Sequence, residues 1–241
     1  MIATEPVRRR HPRDRPCLVF SPLAWLKLQF FCHAGDTEIA GFGVTAKEDP
    51  LHVEDFVTVK QRASMVTVAM DDEAVADFMD RCVDRGMQPQ QFMRIWCHTH
   101  PGSSPKPSCT DEDTFARVFG SCDWAVMFII SRTGATYARL SLHVGPGMNS
   151  DLPVAVDWAA WPKILAEPSF WMDQLTAEWH AEFLANINSF PEAMPLVAAL
   201  TDNSAATGSP WEPFAETWDW NDLDQELLEE YERHARTYGY D

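Results

Sequence analysis

Two apolar runs constrain this chain more than any other feature. Gln91-Phe-Met-Arg-Ile-Trp-Cys97 and Asp123-Trp-Ala-Val-Met-Phe-Ile-Ile130 read as buried strands. The first continues directly into His98-Thr-His100-Pro101. Side chains alternate between the faces of a strand, so His98 and His100 project to one side and Cys97 to the other, into the core. Proline and glycine after His100 stop the strand, and Pro105 and Pro107 stiffen the loop that leads to Ser108-Cys-Thr-Asp111.

Two imidazoles on one side, with a carboxylate returning from Asp111, make three nitrogen and oxygen ligands for one divalent metal. That is the open form of a catalytic zinc site, whose fourth position holds water. A plainer reading fits part of the stretch: Ser108-x-x-Asp111 is also a helix N-terminus, with Ser as cap and the acid near the positive end of the dipole. The plainer reading explains Ser108 and Asp111 but not the paired histidines beside them.

The pattern His98-x-His100-Pro101, six residues, Ser108, two residues, Asp111 resembles the signature of the JAMM (MPN+ or JAB) metalloproteases, which cut peptide or isopeptide bonds after ubiquitin or ubiquitin-like tails. The resemblance covers about residues 17–145. It implies an α/β (α+β sandwich) fold, a mixed β-sheet flanked by helices. It also implies one Zn2+ with a bound water, held by His98, His100 and Asp111. Glu38, in Gly35-Asp-Thr-Glu38-Ile-Ala-Gly-Phe-Gly-Val, matches the family's upstream strand glutamate, although Ile39-Ala40-Gly41 stands where a glycine pair is commoner. Glu38 is then the proton carrier and Ser108 the hydrogen-bond donor to the oxyanion. The implied partners are a ubiquitin-like protein or its conjugate, together with E1- and E2-like enzymes. Residues 112–122 are too few for the insertion of chain-specific deubiquitinases, which points to a compact, prokaryotic-type peptidase.

Three alternatives belong beside this reading: a metal-free scaffold of the same fold, a JAMM peptidase with another substrate, and a zinc deaminase. Deaminase chemistry wants His-x-Glu and Pro-Cys-x-x-Cys, whereas this chain offers His98-Thr-His100 and Pro107-Ser-Cys-Thr-Asp111.

Charge divides the chain. Residues 1–149 hold 18 acids against 16 Lys and Arg, a balance of −2; residues 150–241 hold 18 acids against Lys163, Arg233 and Arg236, a balance of −15. A boundary is therefore expected near residues 145–150, separating a catalytic domain (17–149) from an acidic, Trp-rich extension (150–241). Such an extension would repel phosphates, which argues against nucleic acid as its partner. Six cysteines without a C-x-x-C pair read as free thiols of a reducing, cytoplasmic compartment. No run reaches 18 uninterrupted apolar residues, so no membrane span is expected. Residues 1–16, with Arg8, Arg9, Arg10, Arg13 and Arg15, read as a disordered basic arm.

The remaining expectations are local. Ser21-Pro22 opens a helix that Gly35 ends, and Asp71 opens another that runs to about Arg85. Residues 52–60 and 64–70 alternate as antiparallel strands, and 135–143 pairs with 123–130 through the turn Arg132-Thr-Gly134. Residues 168–190 and 222–238 show helical spacing and are expected to pack on the catalytic domain, with 201–213 as a loop between them. Trp211, Phe214, Trp218 and Trp220 among acids suit either an interaction segment or a solvated face.

Overall fold

The computed structural model describes residues 15–162 and 172–189. Nearly all of the expected basic arm, the 201–213 loop, the Trp211–Trp220 stretch and the 222–238 helix lie outside these residues.

The chain opens with β1 (Leu18–Phe20) and α1 (Pro22–His33). The helix starts where the sequence says it should: Ser21 Oγ accepts the Ala24 N–H at 3.1 Å, and Pro22, which has no N–H to lose, takes the first position. Strands β2 (Ile39–Thr45) and β3 (His52–Thr58) follow as an antiparallel pair. The strand expected over 64–70 forms only as β5 (Val68–Met70), and 64–67 are the turn that joins it to β4 (Gln61–Ala63) in a hairpin. The reversal is local chemistry: Ser64 Oγ accepts the Val66 N–H at 3.2 Å, and the Ser64 N–H donates to Thr67 O at 2.8 Å.

Helices α2 (Asp72–Asp84) and α3 (Pro89–Phe92) lead to β6 (Ile95–His100), and α4 (Cys109–Phe119) leads to β7 (Trp124–Ser131). β6 and β7 run parallel, joined by the crossover through α4. Next come β8 (Thr136–Leu142), β9 (Met148–Asp151), β10 (Val154–Val156), α5 (Met172–Asn186) and β11 (Ile187–Ser189). Eight strands make one mixed sheet in the order β10-β1-β3-β2-β6-β7-β8-β9, and β11-β4-β5 make a second. The α/β class expected from the sequence is therefore observed.

The large sheet is curled. β9 and β10 lie at opposite ends of the strand order, yet only Leu152 and Pro153 connect them. Leu152 N–H donates to Ala138 O and Leu18 N–H to Pro153 O, both at 2.9 Å, so these two residues draw the two edges together. The change in charge near residue 150 thus falls inside the sheet, because β9 and β10 complete it.

Alternation sorts the core into two layers. Val126, Phe128 and Ile130 face one side with Cys97, Leu28 and Phe31; Ala125, Met127 and Ile129 face the other with Trp96, Phe115 and Phe78. α1 and α5 cover the first side. On α5, Trp179 packs on Phe30 with ring centroids 5.9 Å apart, and Phe183 meets Phe31 at 6.2 Å. Glu182 reinforces the dock: it lies 2.8 Å from the buried Lys27 Nζ and accepts from Thr58 N–H and Oγ–H at 3.0 and 2.8 Å. The first expected C-terminal helix therefore packs on the sheet. Among the described residues, no helix is long and apolar enough to cross a membrane, and the six cysteines form no disulfide.

Candidate metal centre

Every residue of the centre is delivered by a strand end or a helix start. On β6, alternation turns Trp96, His98 and His100 toward α4, while the fully buried Cys97 faces the other core layer. β2 runs antiparallel to β6 with Ile39 opposite Thr99 and Ala40 opposite His98. Carried back one step, that register sets Glu38 opposite His100 on the same face. Ala40, with only a methyl group opposite His98, leaves room for the imidazole. On the third side α4 begins, with Ser108 as its cap and Asp111 in its first turn.

The two histidines and two carboxylates converge closely. His98 Nε2 lies 3.3 Å from Glu38 Oε2 and 3.3 Å from Asp111 Oδ1; His100 Nε2 lies 3.7 Å from Glu38 Oε1 and 3.4 Å from Asp111 Oδ2. Both Nε2 atoms are buried without an aligned hydrogen-bond partner. Donor atoms that surround a point without bonding one another are what the ligands of a single ion look like. Two ligands held 2.0–2.1 Å from a tetrahedral ion stand roughly 3.3–3.4 Å apart, which matches both distances from Asp111 to the imidazoles. Glu38, His98 and His100 form a buried group able to hold a metal ion, and Asp111 touches both imidazoles.

The surroundings prepare the rings for this. His100 Nδ1 lies 2.9 Å from the Ser104 carbonyl, so a proton there donates to that oxygen and leaves Nε2 its lone pair. The Trp96 indole stacks on the His98 ring at 5.1 Å and 22°, fixing its plane. Burial alone would lower the His98 pKa, but Asp111 and then Glu38 outweigh it and push it up to about 9. Burial would likewise raise the Asp111 carboxyl. His98 first, then His100 and the Ser108 amide, hold it well below the usual carboxylate range.

The capping reading and the metal reading prove compatible. Ser108 Oγ accepts the Asp111 N–H at 3.1 Å, and Ser108 N–H donates to Asp111 Oδ2 at 2.8 Å, a reciprocal capping box. The same box orients the carboxylate toward the histidines. Ser108 Oγ is used there as an acceptor, and its own proton can rotate toward a neighbour.

A cleft of about 200 Å³ opens onto the centre, lined by Glu38, His100 and Ser108 on the site side and by Met65, Val66 and Lys106 at its walls. The five expected site residues, Glu38, His98, His100, Ser108 and Asp111, thus come together. Sequence reasoning missed Trp96, which alternation alone places on the His98 face, and the hairpin-tip pair Met65 and Val66, which no local pattern marks. The exposed Cys109, and His33 and His52, are not in the group. No protein-family model matches the chain, and no curated protein matches it.

Proposed function

We propose that this chain is a zinc-dependent peptidase or isopeptidase of the JAMM type, cutting after the C-terminal glycine tail of a ubiquitin-like protein. One observation carries the proposal: Glu38, His98, His100 and Asp111, from three separate elements, meet in one buried cluster beside an open cleft. The resemblance of His98-x-His100-Pro101 and Ser108-x-x-Asp111 to the JAMM signature supplies the reaction class.

His98, His100 and Asp111 would hold the ion, Asp111 being oriented by the Ser108 amide as a ligating carboxylate is by its outer partner. Bound zinc would supply Lewis acidity and lower the pKa of a coordinated water toward neutrality. Glu38 takes a proton from the attacking water and passes it to the leaving amine nitrogen as the carbon–nitrogen bond breaks. Ser108 donates its hydroxyl proton in a hydrogen bond to the carbonyl oxygen as that oxygen gains charge. The cleft, smaller than the 300–1,000 Å³ usual for ligand pockets, suits an extended chain end without bulky side chains.

The test is to incubate the zinc-loaded full chain with a ubiquitin-like fusion and follow cleavage by mass spectrometry. The wild type should cut after the terminal glycine, and Glu38→Gln should bind metal yet cut nothing. Equal cleavage by both would remove Glu38 from the chemistry, and a metal-bound wild type that cuts no fusion would leave a binding module.

A further inference from the structure

The backbone beside Glu38 changes neighbours where the site begins. β2 pairs with β3 only from Gly41 onward, opposite Thr58, while β6 stays paired as far as Ile39. A buried strand that loses one partner has backbone groups left to satisfy. The side chain of Gln61, only 2% exposed, takes them over. Its Oε1 accepts the Ala40 N–H at 2.9 Å, and its Nε2 donates to the Ala40 and Val59 carbonyls at 2.8 and 2.9 Å. The Glu38 N–H itself donates to Ser64 O at 2.7 Å. Both attachments come from the β4–β5 hairpin, whose tip also brings Met65 and Val66 to the cleft. The opposite edge of β4 pairs in parallel with β11, Ile187 opposite Gln61 and Ser189 opposite Ala63.

We propose that Gln61 is a positioning residue for Glu38, and that strand β11 of the C-terminal segment tunes the site through it. A carboxylate that moves protons works only when held within about 0.5 Å of its productive place. Removing the Gln61 amide leaves the Ala40 N–H and C=O buried and unpaired; the backbone shifts to satisfy them, and Glu38, two residues away, shifts with it. His98, His100 and Asp111 stay, since β6 is still flanked by β2 and β7 and Asp111 belongs to α4. The inference rests on the proposed reading of a bound ion with Glu38 beside it.

The experiment uses the full chain loaded with Co2+, whose visible absorption reports the ion's surroundings without any turnover. The variants are Gln61→Met, which keeps the volume, Ile187→Asn in β11, and the two combined, each with and without Glu38→Gln. With Glu38 in place, both single changes should shift the band in one direction and the pair should add nothing more, as two sites on one route do. With Glu38→Gln, none should shift it, and Co2+ stoichiometry should hold throughout. On a cleavable fusion, kcat per bound metal should fall about 10- to 100-fold with KM little changed. An unshifted band in Gln61→Met, or shifts that persist alongside Glu38→Gln, would overturn the proposal. Spectral coupling in a chain that cuts nothing would leave this inference standing and remove the peptidase reading; a chain that takes up no Co2+ would overturn both.

Discussion

His98 sets the electrostatics of the centre. Its pKa stands at about 9 in the folded chain against an ordinary 6.5, so the stability it contributes is present in full below 6.5 and is lost as pH rises through 9. Asp111 acts in the opposite sense: its contribution is present above 3.8 and is lost as acid protonates it. Metal-free protein should therefore lose thermal stability from pH 6.5 to 9, while zinc, which needs neutral imidazole, should bind more tightly over the same range and release a proton. Thermal midpoints with and without zinc check this; a metal-free midpoint that climbs over that range would contradict it. At Ser108 two roles separate under substitution. Ser108→Ala should lower kcat about 10²- to 10³-fold, as loss of an oxyanion donor does. It should cost about 1 kcal/mol of stability through the lost cap and keep its zinc. Full activity in Ser108→Ala, measured at equal zinc content, would withdraw the oxyanion role.

Among the elements, α5 makes the clearest prediction. Trp179 is 8% exposed and packs on Phe30, so Trp179→Ala should destabilise the protein by about 3–5 kcal/mol, read as a lowered urea midpoint. An unchanged midpoint would mean that α5 does not dock. Gly41 gives a second: a Cβ there would stand 2.5 Å from the Val57 carbonyl oxygen and 2.6 Å from the Phe56 ring. Gly41→Ala, two residues from Ile39, should cost about 1–3 kcal/mol in denaturant unfolding, as overpacking does. The same elements show what the sequence reveals. α1 was legible because Ser21 and Pro22 act locally, and the His98–His100 face because strand alternation needs no distant partner. The β4–β5 hairpin was not: alternation over 64–70 masked the local Ser64 turn, and the far edge of β4 is fixed by β11, which is distant in sequence. Gln61 was invisible for the same reason: a glutamine in a polar stretch gains meaning only from Ala40, 21 residues away.

Across the whole molecule, the two faces of the curled sheet are used differently. Leu152 and Pro153 draw the sheet edges together, α1 and α5 close one face, and on the other the end of β6, the start of β2 and the first turn of α4 meet. The charge asymmetry, so plain in composition, gave no hint of this, because net charge governs solubility and partners rather than strand order. His98, His100 and Asp111 were legible as types and spacings, and Glu38 only through the family resemblance; that Glu38 and Asp111 stand equally near His98 was not. If His98, His100 and Asp111 grip one divalent ion, as proposed, elemental analysis of the purified full chain should show one zinc per chain in the wild type and in Glu38→Gln, and none in His100→Ala. Equal zinc in the wild type and His100→Ala, or no zinc in any of them, would contradict it.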